Sequence, residues 1–69
     1  MSRPTGTHTQ AVRCLQLIRE LERQPGVHWL EDIAKRLHVD ERTIRRDINA
    51  LRAAGERVWF KNGGAWVEQ

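Results

Sequence analysis

VDERTIRRDINALRAAG, from Val39 to Gly55, carries a complete set of helix signals. Asp40 can cap the free amides of a first turn, and Gly55 can take the left-handed conformation that ends the last one. With Ile44 set at zero and about 100° added per residue, Ile48 and Leu51 fall within roughly 40° of it. Arg42, Arg46, Asn49 and Ala53 collect on the opposite side, with Arg45 and Arg52 on one flank. The spacing therefore predicts a helix with one apolar face and one arginine-rich face. In a small basic chain, late in a helical run, such a helix points to DNA binding.

The flanking sequence places that helix in a tight unit. Leu30 to Leu37, LEDIAKRL, reads as two helical turns with Leu30, Ile33, Ala34 and Leu37 inward. Glu31 and Asp32 open it and Lys35 and Arg36 close it, both signs favourable to the helix dipole. Glu31–Lys35 and Asp32–Arg36 add pairs at the i,i+4 spacing. Trp29 stands where a serine or threonine cap is expected, so capping is weak and Trp29 is expected to act by packing. His38-Val39 is a short connection with Val39 as a core plug. Two helices joined this closely, the second bearing exposed arginines, form a helix-turn-helix arrangement.

Upstream, Thr9 caps a helical pattern running to about Arg23, which Pro25-Gly26 closes. Val12, Leu15, Ile18 and Leu21 or Glu22 recur at spacings of three and four, with Ala11, Cys14 and Leu17 broadening the stripe. Cys14 has no paired histidine at useful spacing and reads as a small buried hydrophobe. Val27-His28-Trp29 is an extended link and a candidate first edge strand. Met1 to His8, with its Pro, Gly, Ser and Thr, reads as a disordered arm. Arg3 in that arm is a candidate for a phosphate backbone or minor groove, against the plainer reading of a solvated terminus.

Downstream the period changes. Val58-Trp59-Phe60 and Ala65-Trp66-Val67 are short strand candidates around Lys61-Asn62-Gly63-Gly64. Asn-Gly favours a two-residue hairpin turn, which sets Trp59 opposite Trp66 and Phe60 opposite Ala65. A hairpin directly after such a helix is a wing. Lys61 near its tip and Arg57 at its base are candidates for phosphate contact. The two hairpin tryptophans are expected to pack on the helices, the alternative being that one lies near DNA.

Composition bounds the rest. The chain has 69 residues and a net charge of +3, from twelve basic and nine acidic residues, and its isoelectric point is near 10.0. A chain of this size forms one domain and buries roughly 60% of its unfolded surface, too little for a second layer around an enclosed active site. One cysteine cannot form an internal disulfide. No apolar run approaches the roughly 18 residues of a membrane span, and no signal-peptide core is evident. The expectation is an intracellular, cytoplasmic protein. His8, His28 and His38 have no ligand-like spacing with Cys14, and no carboxylate pair falls in a plausible pocket. No catalytic residue, metal site or cofactor is expected.

The stretch Leu30 to Gly55, the glycine-rich GGAW of Gly63 to Trp66, and the opening helix AVRCLQLIREL resemble the winged helix-turn-helix domain of DeoR-like and WYL-associated bacterial regulators, the type-11 helix-turn-helix. The specific part is RTIRRDINAL, Arg42 to Leu51, followed by glycine. The resemblance implies a mainly α fold with a small β-hairpin, three helices plus a wing. It implies sequence-specific binding of double-stranded DNA, usually as a dimer, in transcriptional control. The recognition positions of the family fall on Arg42, Thr43, Arg45, Arg46 and Asn49, its core positions on Ile44, Ile48 and Leu51, and its wing on Lys61 to Gly64.

Three departures stand out. The family's large C-terminal sensing or oligomerising domain has no counterpart here, so no small-molecule effector is expected. Trp29 replaces the usual small cap. After the double glycine the run Trp66, Val67, Glu68 breaks the family's alternation.

These readings combine into one expectation. Residues 9–69 form a single winged helix-turn-helix domain, with helices over about 9–23, 30–37 and 40–54 and a wing over about 58–67. Arg42 and Arg46 read base edges, with Asn49 beside them reading adenine or holding a phosphate. Thr43 and Arg45 serve the backbone, with Arg52, Lys61 and Asn62 at the margins. Asp47, about 60° from Ile44 on the helical wheel, is expected to pair with a basic residue of the first or second helix such as Arg13 or Arg36. A homodimer or a larger protein partner is expected on affinity grounds. The rival reading is a protein-interaction module: an adaptor, antirepressor or assembly factor. A continuous positive surface around Arg42, Arg45, Arg46 and Lys61 favours DNA, whereas an exposed Trp59 or Trp66 patch favours a protein.

Overall fold

The computed structural model describes residues 9–68; the arm at 1–8, with Arg3, lies outside them. The element order is α1 (Gln10–Arg23), β1 (His28–Trp29), α2 (Leu30–Leu37), α3 (Glu41–Ala53), β2 (Val58–Lys61) and β3 (Gly64–Val67). The strands form one antiparallel sheet in the order β1-β3-β2. This is a winged helix: three helices, with the β2–β3 hairpin as wing and β1 as an extra edge strand.

Among the described residues, five of the six helix ends have an identifiable cause. Thr9 Oγ1 accepts the Val12 amide at 3.4 Å and Asp40 Oδ1 accepts the Thr43 amide at 2.9 Å, which starts α1 and α3. Trp29 supplies no side-chain cap to α2. The wing supplies the partner instead, because the Leu30 amide donates to the Gly63 carbonyl at 2.8 Å. Helix α3 ends with Gly55 at φ 101°, and the Gly55 and Glu56 amides donate to the carbonyls of Arg52 and Leu51. Helix α2 ends with the same paired bonds, from His38 to Lys35 and from Val39 to Ala34. There the left-handed position, φ 60°, is held by His38.

Leu17 and Leu21 of α1, Leu30, Ile33 and Ala34 of α2, Ile44, Ile48 and Leu51 of α3, and Val58 and Ala65 of the sheet make the core. Leu37, Val39, Cys14, Ile18, Phe60 and Val67 pack around it. The inward seam of α1 differs from the stripe anticipated for it. Leu15 is 58% exposed and Val12 40%. On the helical wheel both lie more than about 130° from Leu17, whereas Gln10, Arg13, Cys14 and Leu21 all lie within about 60° of it. The seam was obscured because two of its members, Gln10 and Arg13, are polar.

In the wing, Asn62 (φ 53°) and Gly63 (φ 81°) form the two-residue turn. Both central residues have positive φ, as the hairpin turn that suits strand twist requires. Trp59 pairs with Trp66 and Phe60 with Ala65. Directly opposed side chains share a face and neighbours along a strand alternate. Val58, Phe60, Ala65 and Val67 therefore face the helices. Trp29, Trp59, Lys61, Gly64 and Trp66 face the other way. The hairpin tryptophans stay outside the core and are half-buried; Trp59 meets the helices through the Arg52 side chain of α3.

Candidate nucleic-acid interface

Helix α3 is held in place by Asp47, which is 0% exposed. Its carboxylate accepts both Nε and Nη2 of Arg13, the latter at 3.0 Å, and Gln10 Nε2 at 3.2 Å. Of the two partners anticipated, Arg13 is the one found; Arg36 pairs with Glu20 at 3.0 Å instead. The Asp47 hydrogen bond raises the Arg13 pKa above its ordinary value. Cys14 Sγ lies 3.7 Å from the Asp47 carbonyl. Burial, followed by the Asp47 charge, pushes the Cys14 pKa up, so it stays a protonated thiol.

The opposite side of α3 carries Arg42, Arg46 and Asn49, all exposed. Arg42 and Arg46 have no ion-pair partner among the described residues. Arg45 makes a loose contact with Glu41, 3.7 Å, between two half-exposed side chains. A surface pair of this kind contributes about 0–1 kcal/mol, so Arg45 can exchange Glu41 for a phosphate at little cost. Thr43 is half-buried, and its amide donates to Asp40 Oδ1. Lys61 and Asn62 are exposed at the wing tip.

Arg52 is placed where sequence reasoning did not put it. Its guanidinium lies over the Trp59 ring, 4.3 Å from the centroid. A cation over an indole at an exposed site contributes about 0.5–1 kcal/mol. Arg52→Ala is expected to lower stability by that amount and to shift the tryptophan emission, read by urea titration followed in fluorescence. An unchanged spectrum would mean that the stacked geometry is not populated.

Asp40 is itself a pH-sensitive cap. The Thr43 side-chain hydrogen bond, then the Thr43 amide, hold its carboxyl below the usual carboxylate range. A depressed folded-state pKa means that the cap stabilises fully above the unfolded value of about 3.9 and is lost as pH falls through the folded value. Asp40→Asn keeps a capping oxygen and removes the titration. Its urea midpoint is expected to match the parent near neutrality and to fall less steeply in acid. Equal acid slopes for the two proteins would show that Asp40 is not the titrating cap.

A shallow hollow of about 220 Å³ lies between α1 and the wing base, lined chiefly by Ile18, Glu22, Glu56, Arg57 and Glu68. Contrary to the expectation that no carboxylate pair shares a pocket, Glu22, Glu56 and Glu68 meet there, all three of them exposed. Among the described residues no cluster could hold a metal ion, and no helix is long and apolar enough to cross a membrane.

A helix pair joined through a three-residue turn, a second helix pinned from behind with its arginines outward, and an Asn-Gly wing together define a winged helix-turn-helix DNA-binding domain. Residues 13–64 match the type-11 HTH domain family, and the chain belongs to it. No curated protein and no solved structure gives a significant match to the chain.

Proposed function

We propose that this chain binds double-stranded DNA sequence-specifically and acts in transcriptional regulation in the manner of DeoR-like and WYL-associated regulators, in a bacterial or phage setting and in the cytoplasm. The observation that carries the reading is the division of α3. Ile44, Asp47, Ile48 and Leu51 are buried, while Arg42, Arg46 and Asn49 stand exposed on the other side.

In this reading α3 enters the major groove. Arg42 and Arg46 present guanidinium forks to guanine O6 and N7, and Asn49 presents its amide to adenine or a phosphate. Arg45 and Thr43 meet the backbone from the flank. Lys61 and Asn62 reach it from the wing tip, and Arg52 reaches it from its seat on Trp59. Residues 9–69 act as one domain. A unit this small covers a single half-site, so useful affinity calls for a homodimer, tandem sites or a larger protein partner.

Selection from a pool of random duplexes at two salt concentrations tests this. An enriched motif retained at the higher salt is the expected result. Binding that is diffuse and disappears with salt would reduce the activity to counterion release and sink specific readout.

A further inference from the structure

All three tryptophans of the chain lie on one surface, the sheet face turned away from the helices. Trp29 lies across β3 at Gly64: a Cβ added at Gly64 would stand 3.4 Å from Trp29 Cζ3 and 2.5 Å from Val27 Cγ1. The ring is thus seated on backbone, yet Trp29 remains 56% exposed. Trp66 follows two residues along β3, and Trp59 stands opposite it with Arg52 over its ring. Lys61 shares the face through its pairing with Gly64. Arg57 and Glu68 are cross-strand neighbours at the base, where the Glu68 amide donates to the Arg57 carbonyl. Along the strands of this face Arg57 thus stands opposite Glu68, and Arg52 and Lys61 add two further positive charges.

We infer that this face is a second nucleic-acid surface, which takes single-stranded DNA by stacking unpaired bases on Trp29 and Trp66 while Arg52 and Lys61 hold the phosphates. Trp29 and Trp66 lie outside the α3 reading, whereas Arg52 and Lys61 are shared with the duplex contacts proposed above. Its ground is charge and spacing. Trp29 on β1 faces Gly64 and Trp66 lies two residues further along β3, so the two are diagonal neighbours about 7–8 Å apart, roughly twice the 3.4 Å step of a stacked duplex strand. Rings on this lattice fit bases that have come apart from one another. Paired bases offer no faces sideways, so a duplex cannot use the indoles this way. The Val27 side chain fills the space over Gly64 where a Cβ would stand. Aromatic rings interleaved with cations on an open sheet are the general means of holding a single strand. A purely apolar partner would leave Arg52 and Lys61 buried without counter-charge.

The test uses the chain's own fluorescence, which arises entirely from this face because the protein has no tyrosine. A thymidine dodecamer is titrated into the intact protein beside inorganic polyphosphate, with sedimentation of the free protein in parallel. Saturable quenching by the dodecamer but not by polyphosphate is expected. W29A should weaken it by about tenfold or more, and R42A/R46A should leave it unchanged. W29K separates stacking from charge: stacking predicts weaker binding and simple charge attraction predicts tighter. Absent quenching, equal quenching by polyphosphate, or tighter binding by W29K would overturn the proposal. So would self-association that W29A abolishes without any quenching by the dodecamer, since the face would then belong to a second copy of the chain.

Discussion

Asp47→Ala is expected to remove most of the stability of this domain while leaving its DNA preference intact. Removing one partner of a buried ion pair costs about 3–5 kcal/mol. Here the carboxylate removed accepts from both Nε and Nη2 of Arg13, whose side chain is 14% exposed. Gln10 loses an acceptor at the same time. A chain of this length has about 3–10 kcal/mol of stability in total. The thermal midpoint of D47A should therefore fall by about 12 °C or more, at roughly 4–8 °C per kcal/mol for domains of this size. The double variant R13M/D47L tests the cause, since a well-packed apolar pair of similar volume can equal or exceed a buried ion pair. It should recover most of the midpoint lost in D47A. If D47A lies within about 1 kcal/mol of the parent in urea, the pair is not structural. If D47A folds in the cold but selects a different DNA motif, the carboxylate belongs to the readout instead.

That network also explains what could and could not be read from sequence. The helical angle of Asp47 betrayed it: a carboxylate near the apolar side of an arginine-rich helix needs a basic partner. Choosing Arg13 over Arg36 required the tertiary fold, in which α1 lies against α3. The same interaction hid the α1 seam, since turning Arg13 and Gln10 inward turns Val12 and Leu15 out. Periodicity counts apolar residues and cannot score a polar residue that is inward because its partner is.

In the wing, the Asn62-Gly63 turn and the pairing of Trp59 with Trp66 were legible from turn chemistry alone. The face on which the tryptophans lie was not. Val58, Phe60, Ala65 and Val67 are as apolar as Trp59 and Trp66, so alternation gave no sign of which set is inward. Small Ala65 and Val58 fill the narrow space beneath the helices, and the large indoles take the open side. The cap of α2 escaped for a related reason. It is a backbone carbonyl of Gly63, distant in sequence, and no local motif encodes it.

Arg42→Ala/Arg46→Ala should show the reverse of D47A: a stable domain that no longer distinguishes sequences. Both side chains are exposed and without an ion-pair partner among the described residues. Their removal should move stability by no more than about 0.5 kcal/mol. If each guanidinium reads a guanine, each contributes about 1–3 kcal/mol of discrimination. Losing both removes about 2–6 kcal/mol, comparable to the whole gap of roughly 4–10 kcal/mol between specific and non-specific binding. Affinity for random duplex should fall far less. The salt dependence separates base readers from phosphate holders. A residue that neutralises a phosphate adds about 0.9 to the slope of log affinity against log salt, so Arg45→Ala and Lys61→Ala should each flatten it by that amount. The double variant should instead lose its preferred motif with a smaller change of slope. If it keeps the motif and merely flattens the salt dependence, Arg42 and Arg46 hold the backbone. The reading of bases would then pass to Asn49, the remaining uncharged polar side chain on that face of α3.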